Sequence, residues 1–166
     1  MYQSLIHPYP PVFDENSRIL ILGSFPSVKS REEGFYYGHP QNRFYPVLAR
    51  ILNCAVPRTV EEKRAMLTAH GVALWDVIAS CDIEGSSDAS IKNALPNDIS
   101  LILDRAQVGG IFTNGATAHS LYMKYIFKVT CIEDVKLPST SPANAAYSIE
   151  RLYTEWSRLI LPALIG

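Results

Sequence analysis

Four short apolar runs alternate with helix-like segments along this chain, and few folds accept that pattern. The runs are Arg18 to Leu22, Val72 to Ile78, Val108 to Asn114 and Thr130 to Leu137, and each reads as a buried strand. The segment from Asn42 to Asn53 places Phe44, Val47, Leu48, Ile51 and Leu52 on one helical face, with Pro46 limiting where that helix begins. Thr59-Val-Glu-Glu62 is a capping box for a helix that ends at Gly71. Further helices are expected from Asn97 or Asp98 through Ala106, from Ala116 to Phe127, and from about Ala145 to Leu161. Alternating strands and helices predict parallel βαβ units, and so an α/β fold: a three-layer α/β/α sandwich with a small, mostly parallel four-stranded sheet. The 166 residues suffice for one domain with its own core. Residues 1–17, with Pro8, Pro10 and Pro11, read as an extended N-terminal arm, and Ser80 to Asn97 as a polar loop with a helical turn.

In such a sheet every strand's C-terminal end faces the same way, and ligands bind there. The ends to inspect are Gly23–Ser27, Asp76, Asn114 and Ser139–Asn144. The first is followed by the most informative stretch, GSFPSVKSREEGFYYGHPQNRFY, Gly23 to Tyr45. Long ordered loops in compact domains usually carry function, and the rings of Phe35, Tyr36, Tyr37 and His39 argue against disorder here.

Several chemistries are excluded. No GxxxxGK[ST], GxGxxG or GxSxG occurs. Cys54, Cys81 and Cys131 are scattered, without a CxxC pair, and His7, His39, His70 and His119 lack zinc-ligand spacing, so no metal or cofactor is expected. No apolar run could cross a bilayer and no secretory signal opens the chain, so a cytoplasmic protein without a membrane partner is expected. A net charge of −1 does not fit a strongly basic DNA-binding domain; any nucleic-acid contact must be local, through loops and helix starts. Apart from Asp76, the strand ends offer amides, hydroxyls, backbone groups and rings. Such groups suit a planar polar ligand held by stacking and hydrogen bonds.

The ordered set GSFPS, FYYGHPQNRFY, GVALWDVIASC, FTNGATA and LPSTSPAN resembles the uracil-DNA glycosylase superfamily, most closely its DNA-deoxyinosine (hypoxanthine-DNA) branch. HPQNRF is also similar to the mismatch-specific uracil/thymine glycosylases. The resemblance runs from about Arg18 to Trp156 and implies a monomeric enzyme that flips a deaminated base out of DNA and hydrolyses its N-glycosidic bond without a cofactor. Hypoxanthine is the favoured base, with uracil or xanthine as further substrates. The alternatives are a mismatch uracil/thymine glycosylase and a non-catalytic nucleotide- or DNA-binding module on the same fold.

The resemblance also implies roles. Asn42 is the expected catalytic residue, holding water at the sugar carbon; an Asn before a helix is equally an ordinary cap. Tyr37 is expected to stack on the base, with Phe25 and Pro26 beside it, although Tyr36 and Tyr37 also read as rings covering the sheet edge. Backbone amides of Ser24 and Phe25 would hold a base oxygen, Gly23 would let the ligand approach, and His39 would donate to base or phosphate. Asp76 would accept from N1–H of hypoxanthine or satisfy backbone amides; Asn114 would join it or serve a turn. Ser139, Thr140 and Ser141 would meet DNA phosphates, with Pro142, Ala143 and Asn144 as the loop entering the duplex. Two positions depart from other branches: Phe25 stands where they carry a water-activating Asp or Asn, and Leu137 where they carry a histidine.

Overall fold

The computed structural model describes residues 1–165. Its centre is a parallel sheet of β2 (Ile19–Gly23), β3 (Val72–Asp76), β6 (Gly110–Asn114) and β7 (Val135–Leu137), in the order β3-β2-β6-β7. Ile19 to Leu22 and Val72 to Leu74 are wholly buried. Near-continuous apolar strands are what a sheet covered on both faces requires. The helices are α1 (Val28–Glu33), α2 (Phe44–Leu52), α3 (Val60–Ala69), α4 (Ser100–Leu103), α5 (Ala116–Tyr122), α6 (Lys128–Thr130) and α7 (Ile149–Ile165), with a π-turn, Met123–Phe127, joining α5 to α6. They flank the sheet as the α/β/α reading expects. α2 packs on α7, which crosses β2, β6 and β7, while α5 lies along β6 and β7. Phe44 of α2 meets Trp156 of α7 edge to face at 5.8 Å, and the Trp156 indole donates to the Pro138 carbonyl at 2.9 Å. That bond roots the loop after β7 in the core.

A second sheet was not expected. β1 (Gln3–Ile6) pairs antiparallel with β4 (Ile78–Ile83), which pairs with β5 (Lys92–Pro96). The N-terminal arm is therefore partly strand, and half of the polar loop from Ser80 to Asn97 is strand. Between β1 and β2, the Val12 and Leu74 backbones exchange hydrogen bonds, both 2.9 Å, closing the outer edge of β3. The arm is thus tied at two points, one in each sheet. Other elements differ at their ends: β3 stops at Asp76, α2 starts at Phe44, α4 is one turn, β7 is only three residues long, and α7 begins at Ile149. Among the described residues no helix is long and apolar enough to cross a membrane.

Candidate active site

In chain order the parallel strands lie 2-1-3-4, so the connections reverse direction between β2 and β6. A crevice opens at that switch point, outside the strand ends. Here it is a cleft of about 220 Å³. The elements that line it are the turn after β2, the loop to α2, the end of β3, the end of β6 and the loop after β7. The sequence singled out those same strand ends. Gly23, Ser24, Phe25, Pro26, Tyr37, His39, Asn42, Asp76, Asn114, Ser139, Thr140, Ser141 and Pro142 all face it. Ala143 and Asn144 do not; they line an adjoining hollow behind the same loop.

Close approach explains Gly23. A Cβ there would lie 2.5 Å from Oδ1 of Asp76 and 3.3 Å from the Tyr37 hydroxyl. Tyr37 takes φ +56°, a left-handed conformation rare for a residue with a side chain. Its ring stacks on Phe44 at 4.1 Å and 19°, which braces one face. Its buried hydroxyl has no hydrogen-bond partner. Burial, reinforced by the Asp76 charge, pushes this phenol well above its ordinary range, so it stays a neutral donor.

Asn42 sits two residues before α2. Its Oδ1 accepts from the Phe44 amide at 2.9 Å, an Asx turn that leads into the helix. The N-cap place itself falls to Arg43, without a side-chain bond, so the ordinary N-cap expected at Asn42 is replaced by this turn. The Nδ2 amino group and a second lone pair on Oδ1 remain for the cleft. His39 accepts from the Gln41 amide through Nδ1 at 3.0 Å. In the neutral ring that leaves the proton on Nε2.

The loop after β7 is held from three sides. Both ends of the Asn114 amide grip Thr140: Nδ2 donates to its hydroxyl at 3.0 Å and Oδ1 accepts from its amide at 3.1 Å. The Arg43 amide donates to the Thr140 carbonyl at 3.1 Å. Thr140 is wholly buried; its amide and carbonyl are engaged and its hydroxyl accepts from Asn114, so it anchors the loop. The Arg43 guanidinium donates to the carbonyls of Ser141 (2.8 Å), Asn144 (3.0 Å) and Tyr147. Within the loop, Ser139 Oγ accepts from the Ser141 amide and Ser141 Oγ from the Ala143 amide, both at 3.1 Å. Arg43→Met should cost about 2–4 kcal/mol in a urea melt, since charge-assisted bonds to carbonyls are among the stronger ones. It should also raise amide exchange in 141–147 selectively; uniform protection across that loop would disprove the clamp.

Several residues in and beneath the cleft were not anticipated, three of them with polar groups that bear on its chemistry. Asp88 arrives on the segment between β4 and β5 and accepts from the Ser24 hydroxyl at 2.6 Å. Burial raises its pKa, the Ser24 bond opposes that, and the Asp76 charge adds to it. Tyr9 lines the cleft with a buried, unpartnered hydroxyl. His7 packs beneath Asp76, its Nε2 2.8 Å from Oδ2. Their approach comes from pairing of the second sheet, which leaves no local motif. No cluster of three or more His, Cys, Asp and Glu placed to hold a metal occurs among the described residues.

Comparison with known proteins agrees with this geometry. The family model described as the uracil DNA glycosylase superfamily matches residues 10–160. A curated protein named hypoxanthine DNA glycosylase from Methanosarcina acetivorans is 33% identical over 150 residues, 89% of this chain and 93% of that protein. A protein of the same name from Methanosarcina barkeri is 38% identical over 99 residues, 59% of this chain and 63% of that protein. The solution NMR structure of a candidate uracil DNA glycosylase from M. acetivorans superposes with a TM-score of 0.80 at 32% identity, covering 96% of this chain and 99% of the other.

Proposed function

We propose that this chain, which belongs to the uracil DNA glycosylase superfamily, removes deaminated bases from DNA, hypoxanthine first among them. It is a DNA glycosylase, an N-glycosyl hydrolase of base excision repair. The observation that carries the substrate reading is the free acceptor at the bottom of the cleft. Asp76 is 5% exposed and uses Oδ2 on His7, which leaves Oδ1 toward Gly23 and the cleft. Deamination turns the bare ring nitrogen of adenine or cytosine into an N–H beside a carbonyl. A carboxylate oxygen accepts from that N–H and repels the lone pair of the unmodified base. A hydrogen-bonding site rejects the mismatched partner far more strongly than an apolar one does.

In this reading the base leaves the helix and enters the cleft edge-first. Tyr37, backed by Phe44, stacks on its face. Oδ1 of Asp76 accepts from N1–H, and the amides of Ser24 and Phe25 donate to the base oxygen, where negative charge builds as the base departs. The N–H of His39 donates to base or phosphate. Asn42 orients water at the sugar carbon. The water oxygen bonds to that carbon as the carbon–nitrogen bond breaks; the base takes the electron pair, and the proton that the water loses passes through solvent to the departing base. Ser139 and Ser141 meet the flanking phosphates, with Pro142 to Asn144 entering the duplex. The protein works as a monomer at the cell's DNA, in the cytoplasm of a cell without compartments.

The test is alkaline cleavage of end-labelled duplexes carrying one deoxyinosine, deoxyuridine or deoxyxanthosine. Alkali-labile sites form with deoxyinosine, and more slowly with the others. Breaks confined to deoxyuridine would make it a mismatch-type uracil enzyme. The binding-module reading draws on Leu137, a buried leucine where other branches carry a histidine; it gains the lead if folded protein binds these duplexes and cleaves none.

A further inference from the structure

His7 lies ahead of the residues that the family model matches, 10–160. Yet its side chain is 4% exposed against an Asp76 side chain 6% exposed. The arm delivers it. The His7 amide donates to the Ala79 carbonyl at 2.7 Å, continuing the β1–β4 pairing, and Val12 is tied to Leu74 five residues on. Pro8, Pro10 and Pro11 stiffen the span between these two ties. The His7 ring is 4.8 Å from that of Tyr9 and 6.0 Å from those of Phe25 and Tyr36.

The hydrogen bonds fix where the protons are. His7 Nδ1 lies 2.8 Å from the Tyr9 carbonyl, which only accepts, so Nδ1 carries a hydrogen. A neutral ring would then present a bare Nε2 to the carboxylate at 2.8 Å, lone pair against lone pair. A proton must therefore occupy the Nε2–Oδ2 line. It can be written as imidazolium with carboxylate or as imidazole with carboxylic acid. In both forms the proton lies on the Oδ2 side, and Oδ1 is left an acceptor.

We infer that His7 is a positioning and specificity-determining residue, which holds the Asp76 proton away from the cleft and so makes Oδ1 an obligate acceptor for the N–H of a deaminated base. This rests on the reading of Asp76 given above. Without His7, a buried carboxyl beside Asp88 is free to carry its proton on Oδ1. It would then donate, and a donor fits the bare N1 of adenine. His7 thus guards against the commonest undamaged competitor by controlling one proton.

The other groups around the pair do not supply its proton's partner: burial pushes the Tyr9, Tyr36 and Tyr37 phenols far up, and it also raises Asp88, against the bond from Ser24.

The experiment is single-turnover excision on deoxyinosine and deoxyadenosine duplexes with the wild type, His7→Leu and His7→Gln. Thermal melts select variants that are folded. His7→Leu should lose roughly 10–100-fold on deoxyinosine, the range in which specifically held groups are felt, and its preference over deoxyadenosine should narrow. His7→Gln, which can donate to Oδ2, should recover much of the rate and of the preference. Proton NMR supplies a readout independent of turnover: a downfield signal from the Nε2–Oδ2 bond in the wild type, absent in Asp76→Leu. An inactive wild type overturns the glycosylase reading. An active wild type overturns the role of His7 alone if His7→Leu keeps the base preference, if His7→Gln is no better than His7→Leu, or if the downfield signal is missing.

Discussion

Asn42→Ala should reduce single-turnover excision of hypoxanthine by about 10²–10⁴-fold, the range typical when a group that positions or relays a proton is removed. The side chain serves two masters, and the variant loses both. Oδ1 leads the chain into α2 by accepting from the Phe44 amide, and loss of such a bond at a helix start costs about 0.5–2 kcal/mol. Phe44 in turn supports the Tyr37 ring, so a frayed helix start would disturb the base-stacking wall as well. Asn42→Ser separates the two effects. A serine hydroxyl can accept from the Phe44 amide, but is too short to hold water at the sugar carbon. We expect Asn42→Ser to melt near the wild type and remain as inactive as Asn42→Ala. An active serine variant would limit Asn42 to this turn and send the search for the water-holding group elsewhere in the cleft.

Gly23→Ala should be nearly as damaging, for a steric reason alone. No L-residue Cβ fits 2.5 Å from a carboxylate oxygen, so Asp76 must turn away, and the Tyr37 hydroxyl, 3.3 Å off, blocks the nearest escape. The one acceptor aimed at the base is displaced by about an ångström. A misplacement of that size in a positioning group can cost about 10²-fold, and a fall of this order in kcat/KM on deoxyinosine DNA is expected. Affinity for a duplex that already contains an abasic site should change little, because that product has no base to place against Asp76. If abasic-site binding falls in parallel with excision, the substitution has damaged the DNA-facing surface and the close-approach argument fails.

Both predictions concern residues that the sequence singled out, and the reason is local. Gly23 and Asn42 stand at a strand end and a helix start, where residue type and chain geometry are coupled over a few positions. The four parallel strands were legible for a similar reason: Ile19 to Leu22 and Val72 to Leu74 are unbroken apolar runs because both faces of the sheet are covered. The second sheet had no such signal. β1 and β5 are edge strands with mostly exposed side chains, Gln3-Ser-Leu-Ile and Lys92-Asn-Ala-Leu-Pro, and carry no apolar run. His7, Tyr9 and Asp88 depend on that sheet for their positions, so they were invisible for the same reason. Asn114 and Thr140 illustrate a third limit. Their residue types suited ligand contact, but their polar groups are largely spent on each other.

The tethered arm has a consequence for how the protein is born. His7 leaves the ribosome long before its partners. Its strand neighbour is Ala79, its hydrogen-bond partner is residue 76, and the loop after β7 extends to Asn144. Contacts this distant in sequence slow the search for the native state. The nascent chain therefore has no working half-site to offer. A ribosome stalled before β7 holds a chain with Asp76 but without the loop after β7 that lines the cleft. A chain cut short there is expected to lack the complete cleft.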